Sequence, residues 1–190
     1  MKTSHGRILT LLVLIGVLSA TLAYQIWMRG TTLPLPPSPG PGLSSPSLEP
    51  KRSVRLFFAS ADEGSLQEEM REIKAGAVHE EAKMALLELI KGPGSELVSP
   101  LPPGIQLRQL YIDGQGIAYV DFGPALRDLH PGGSRAELLA VYSIVDTLAY
   151  NFDQVKRVKI LIEGSEIETL AGHIDLRRPL KPRVDFDERS

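Results

Sequence analysis

The sequence predicts an α+β domain, one mainly antiparallel sheet with two helices packed on one face, preceded by a single transmembrane helix. Three observations carry this reading: short alternating apolar runs separated by turn residues, two stretches with apolar residues at helical spacing, and an uncharged run from Ile8 to Met28. The chain has 190 residues, 43% apolar and 23% charged, and no cysteine. That suits one domain of roughly 100–150 residues with additional segments, and neither a disordered nor a fibrous chain.

Ile8–Met28 is 21 residues long, follows Lys2 and Arg7, and precedes Arg29. As a helix it would extend about 31 Å, enough to cross a hydrocarbon core of about 30 Å. Thr21-Leu22-Ala23 is a tolerable cleavage site, so a removed signal peptide is the competing reading. Apolarity that continues through Tyr24, Ile26 and Trp27 favours the anchor. Lys2 and Arg7 on a short leading tail orient the amino terminus to the cytoplasm, which leaves the domain outside, in a periplasm or on a cell surface. Residues 30–50 then hold seven prolines in 21 positions, too many for helix or sheet, and form an extended spacer. The alternative role for that stretch is a Pro-rich ligand for an aromatic groove. The expected organisation is an anchor at 1–29, a Pro-rich linker at 30–51, a domain at 52–181 and a disordered acidic tail at 182–190.

Within the domain, Val54-Arg55-Leu56-Phe57-Phe58-Ala59 alternates and is aromatic-rich, which predicts a strand, and Asp62–Ser65 predicts a turn. Leu66–Lys74 fits a short helix by propensity and a polar edge strand by position. Val78–Lys91 places Val78, Ala82, Ala85, Leu86, Leu89 and Ile90 at helical spacing, and Gly92-Pro93-Gly94 ends it. Ile105–Ile112 and Ile117–Phe122 flank Asp113-Gly114-Gln115-Gly116 and predict an antiparallel hairpin. Ser134 and Glu137 have the spacing of a capping box and open a second helix with a wide apolar face, Leu138 to Ala149. Val158–Glu163 predicts a further strand, and Glu168–Gly172 has room for one more.

The chemistry-bearing residues do not assemble into a known catalytic pattern. His79-Glu80 begins like a zinc-peptidase helix, but Lys83 stands where the second histidine is needed. Gly114-Gln115-Gly116 begins like a dinucleotide fingerprint, but Tyr119 occupies the third glycine position and a strand follows. No nucleophile elbow or P-loop occurs, and the absence of cysteine removes thiolate chemistry, disulfides and lipid attachment through a cysteine. The acidic pairs fall in turns, helix starts and the tail, where solvated charge is the default. Asp121, ending a strand, and Asp146, interrupting an apolar helix, are the less ordinary acids and are read as structural hydrogen-bonding groups. Residues 1–50 hold three basic groups and one acid, which leaves 18 basic and 22 acidic groups in residues 51–190. A domain of net charge −4 has no footprint for nucleic acid. No catalytic residue, metal or cofactor is expected.

Several marks occur together and in order. They are Arg55-Leu56-Phe57-Phe58, the helix ending Leu86-Leu87-Glu88-Leu89-Ile90-Lys91-Gly92-Pro93, and Leu101-Pro102-Pro103-Gly104. Further on come Ala118-Tyr119-Val120-Asp121-Phe122, Tyr142–Leu148, and a strand ending Ile162-Glu163-Gly164. This set resembles the GerMN domain family of sporulation and spore-germination proteins, over about residues 52–176. The resemblance implies that Leu66–Lys74 is an edge strand, since Glu69-Met70-Arg71-Glu72-Ile73 fits the family pattern there. It also implies a fold similar to ring-building modules of secretion-type complexes, no known catalytic residues, and service in envelope or sporulation assemblies outside the membrane. This chain departs from the pattern in carrying one copy and no lipid-anchor cysteine.

The expected function is a non-enzymatic, membrane-tethered scaffold or protein-interaction module. Its expected partners are the inner membrane through one span, an envelope protein or a second copy of itself, with peptidoglycan as an alternative ligand. If one set of alternating strand residues faces the helices, Phe57, Tyr111, Tyr119 and Leu161 fall on the opposite face. That face is either a docking surface or covered by loops.

Overall fold

The structure, a computed structural model, describes residues 50–62 and 64–183 together with residues 19, 21, 24 and 25. Apart from those four residues, which are helical, the expected span Ile8–Met28 lies outside the described residues, as do the linker up to residue 49 and the tail from residue 184. Among the described residues no helix is long and apolar enough to cross a membrane. The chain divides into two compact units, Met1–Ser47 and Leu48–Ser190.

Among the described residues, the second unit has six strands and three helices. They are β1 (Lys51–Ala59), β2 (Leu66–Lys74), α1 (Val78–Lys91), β3 (Leu107–Ile112), β4 (Ile117–Phe122), α2 (Ala125–Asp128), α3 (Ser134–Ala149), β5 (Arg157–Ile162) and β6 (Ser165–Glu166). The α+β class is confirmed, and Leu66–Lys74 is the strand that the family resemblance implied.

The expected single sheet is instead two. β1 and β2 form an antiparallel pair of their own, and a second sheet runs β3-β4-β5-β6. In the second sheet β4 and β5 are parallel, with Tyr119 opposite Lys159 and Asp121 opposite Leu161. The reason lies in the connection: α3 is 16 residues long, and a helical crossover carries the chain back to the end of the sheet where β4 began, so β5 runs the same way. The sheets stay separate because the free edge of β1 is taken by side chains. Asn151 Oδ1 accepts the Arg55 N–H at 2.8 Å, its Nδ2 donates to the Arg55 carbonyl at 2.6 Å, and Thr147 Oγ1 accepts the Phe57 N–H at 3.2 Å. Backbone reaches that edge at Ala59, in an isolated bridge to Val98, and among the described residues no further named strand pairs there.

The two longer helices, α1 and α3, each pack against both sheets. The core joins Val54, Leu56 and Phe58 of β1 with Leu86 and Leu89 of α1. It continues through Val141, Ile144 and Leu148 of α3 to Val120, Val158 and Ile160 of the larger sheet. These are the alternating and helically spaced residues of the sequence, and removing their apolar surface from water is the main stabilising term.

Two local expectations are corrected. Gly133, not Ser134, occupies the N-cap of α3, and no side-chain capping bond forms. Glu137, fully buried, turns away from the helix start and accepts the amides of Leu170 at 2.8 Å, Ala171 at 3.0 Å and His173 at 2.8 Å. Residues 168–172 are accordingly a loop gathered on one carboxylate and not a strand; the short added strand is Ser165–Glu166. Leu180 and Arg183 are bonded to the same unit. Leu180 bridges to Val158, the Arg183 amide donates to Asp146 Oδ1 at 3.1 Å, and the Tyr150 hydroxyl donates to the Arg183 carbonyl.

Candidate functional site

The larger sheet turns one face to the helices and the other away from them. The β3–β4 turn sets the register of that second face. Asp113 Oδ1 accepts the amides of Gln115 at 2.9 Å and Ile117 at 2.8 Å, an Asx-type closure. Gly116 follows at φ 79°, and its carbonyl accepts the amides of Lys156 and Arg157 where the chain enters β5. A Cβ at Gly116 would stand 2.7 Å from the Gln154 carbonyl oxygen, so only glycine fits this junction.

With that register fixed, Tyr111 lies directly across from Tyr119, and their ring centroids are 6.5 Å apart. Tyr111 is 62% exposed, while Tyr119 and Leu161 are half-buried. The structure therefore brings Tyr111, Tyr119 and Leu161 to one sheet face. It does not bring Phe57 there: Phe57 belongs to the other sheet, is 1% exposed, and packs against Tyr150 at 5.5 Å between ring centroids. The single-sheet expectation had placed all four side chains together, and the division into two sheets removes Phe57 from the set.

Polar groups interrupt and frame the aromatic pair. Lys159, beside Tyr119, is only 2% exposed. Its ammonium donates to the carbonyls of Leu176 at 3.1 Å and Arg177 at 2.6 Å and pairs with Glu166 at 3.1 Å. Asp121, beside Leu161, accepts the Gly164 amide at 2.7 Å and pairs with Arg108 at 3.1 Å. Arg108 also lies 3.8 Å from Glu163.

The carboxylates of Glu137, Glu69 and Glu81 are occupied by backbone amides. Burial pushes Glu137 up, but the amides of Ala171, His173, Leu170 and Ile174 outweigh it and leave the group below its ordinary value. Burial likewise opposes ionisation of Glu69, yet the Ser95 hydroxyl, the Gly94 and Ser95 amides and Arg71 bring it down to about 2. Glu81 is lowered by the Gly76 amide first, against burial and with Arg52. Asp146 is the exception: burial raises it to about 7 against the amide and charge of Arg183. Its Oδ2 makes no hydrogen bond among the described residues. Asp121 and Asp146 thus both hold backbone, the structural role read from sequence.

An open concavity of about 590 Å³ lies beside the β1–β2 turn, where Asp62, Glu68 and Glu96 face solvent with Ser60 and Ser95 but no histidine. Among the described residues no group of three or more histidine or acidic side chains is placed to hold a metal ion. His79 is exposed in the first turn of α1, and His173 touches Glu137 through Nδ1 at 3.1 Å. The sequence carried no signal for the Glu137 and Asp146 anchorages, because their partners are main-chain amides 33 or more residues away.

No curated protein matches this chain. Among solved structures, the fold is similar to the first GerMN domain of the sporulation protein GerM from Bacillus subtilis, with TM-score 0.52 and 20% identity, covering 70% of this chain and 99% of that one. It is also similar to the tandem GerMN domains of the same protein, with TM-score 0.52 and 16% identity over 69% of this chain but only 46% of that chain. A candidate lipoprotein from Clostridium perfringens gives TM-score 0.50 and 19% identity, covering 69% and 87% of the two chains. At these identities the likeness is one of fold. Residues 55–168, more than half of the sequence, match the family Germane, described as sporulation and spore germination, and the chain belongs to that family.

Proposed function

We propose that this protein is a membrane-tethered, extracytoplasmic and non-enzymatic GerMN module that docks an envelope or sporulation protein on the outer face of its β3–β6 sheet. The observation that carries the reading is the aromatic pair Tyr111 and Tyr119, with Leu161 on the same face and Tyr111 largely exposed. Tyrosine gives an interface large amphipathic area at low entropy cost, and the Arg108–Asp121 and Lys159–Glu166 pairs supply a polar rim of fixed charge. Glu137 and Asp121 are committed to backbone amides, which supports a structural use of these two acids. Tethering rests on the uncharged run Ile8–Met28 after Lys2 and Arg7.

The test is recovery of the full chain from native membranes, as wild type and as Tyr119→Glu with Leu161→Glu. The reading expects specific proteins to co-purify with the wild type and to be lost from the variant, while far-UV circular dichroism of the two is the same. Unchanged partners in a folded variant would overturn docking on this face. Sedimentation of the wild type with peptidoglycan, with no protein partner recovered, would replace the reading by glycan binding through the same tyrosines. Release of the protein by carbonate washing would remove the tether.

A further inference from the structure

The outward sheet face carries one guanidinium that no acid of the described chain answers, and it bears on the chemistry of the partner that docks there. Val158 and Ile160 are buried against the helices, so alternation along β5 sends Arg157, Lys159 and Leu161 to the outward face. In the parallel register Arg157 stands opposite Ile117, and Tyr119 stands opposite Lys159. Arg157 and Tyr119 are thus diagonal neighbours, about 7–8 Å apart and within reach of long side chains. The position is rigid, because the Arg157 amide donates to the Gly116 carbonyl at 3.1 Å, at the junction that only glycine fits.

The other two cations of this face are committed. Lys159 holds two carbonyls and Glu166, and Arg108 pairs with Asp121. Arg157 is half-buried, yet its guanidinium makes no hydrogen bond or ion pair among the described residues. Asp113, in the turn before Ile117, is engaged through Oδ1 with the Gln115 and Ile117 amides, and Asp153 lies exposed ahead of β5. Exposed Lys156 adds positive charge at the same end of the sheet. A guanidinium partly withdrawn from water gains most from a carboxylate, which its planar fork can hold through two parallel bonds. We infer that the docking partner is a protein segment whose aspartate or glutamate pairs with Arg157 while a neighbouring apolar residue packs on Tyr119 and Leu161. This rests on the docking reading above and deepens it: the tyrosines and Leu161 supply contact area, and Arg157 sets the orientation of the segment by charge.

The test places photoreactive benzoylphenylalanine at the exposed position 111 of the full chain in native membranes, followed by irradiation and peptide mapping. It is run with Arg157 intact and with Arg157→Lys, Arg157→Gln and Arg157→Glu. The expected adduct is to a protein segment that carries an acidic residue beside the crosslinked position. Its yield should fall less than about threefold with lysine, more with glutamine, and at least about tenfold with glutamate, because a like charge costs more than a missing one. Changing the mapped acid of the partner to lysine should restore the yield in the Arg157→Glu chain. Equal yields of the protein adduct in all four chains would overturn the pairing while leaving docking on this face in place. No protein adduct with Arg157 intact, or an adduct to peptidoglycan alone, would overturn both. If Arg157→Glu loses the far-UV circular dichroism of the wild type, the glutamine and lysine chains decide: equal yields from those two overturn the pairing, and a lower yield with glutamine upholds it.

Discussion

Replacing Asp146 by asparagine should change how stability depends on pH more than it changes the structure. Asp146 is fully buried in α3, with one oxygen on the Arg183 amide and the other without a hydrogen-bond partner among the described residues. Burial raises it from the ordinary 3.8 to about 7, against the pull of Arg183. The folded chain therefore binds this proton more tightly than the unfolded chain. The group's contribution is complete below about pH 3.8 and is lost as pH rises through about 7. At about 1.4 kcal/mol per tenfold change in proton affinity, the whole contribution is about 4 kcal/mol, of which more than half disappears between pH 5 and pH 8. Asparagine keeps the acceptor for Arg183 and does not titrate. Urea unfolding of both proteins at intervals from pH 5 to pH 8 should show the wild type losing about 2–3 kcal/mol relative to the Asp146→Asn variant. A difference that stays constant with pH would refute the reasoning, since it would mean that the buried carboxyl does not exchange its proton in that range.

The other carboxylate anchorage runs in the opposite direction: Glu137 is held below its ordinary value, so its stabilisation is present above about pH 4.5 and is lost on acidification. Glu137→Ala should cost about 2–4 kcal/mol, because it strands the amides of Leu170, Ala171 and His173, and limited proteolysis should open the chain within residues 168–174. Gly116→Ala should destabilise by more than about 1 kcal/mol, from a positive φ and a 2.7 Å approach to the Gln154 carbonyl, and the loss would appear in the thermal midpoint. Asn151→Ala should cost about 1–3 kcal/mol and raise amide exchange at Arg55, whose N–H and carbonyl both lose their partner.

Periodicity located the elements because each buries its apolar residues on one face. Val78–Lys91, Ile117–Phe122 and Leu66–Lys74 begin and end where the sequence placed them, the last with the help of the family pattern around Arg71. That pattern has a physical basis: Arg71 bonds Glu69 and the Gly92 carbonyl, while Glu69 accepts the Gly94 and Ser95 amides, tying β2 to the loop beyond α1. What periodicity does not encode is which strand edges meet. Alternation in β1 gives the same apolar set whether its free edge pairs with a strand or with Asn151 and Thr147, so one sheet and two sheets read alike. The same ambiguity put Phe57 with Tyr111, Tyr119 and Leu161. Ser134 and Glu137 have the spacing of a capping box, yet the main-chain amides of residues 170–173 compete for the carboxylate and win, an outcome set by a loop that follows 33 residues later.

The most direct test of the proposed docking role compares hydroxyl-radical labelling of the full chain in native membranes and after purification. Met70, 60% exposed on the other sheet, serves as an internal reference. Docking on the outer sheet face predicts that Tyr111 and Tyr119 are labelled in the purified chain and protected severalfold in native membranes, with Met70 labelled alike in both. Equal labelling of Tyr111 in the two preparations would contradict it.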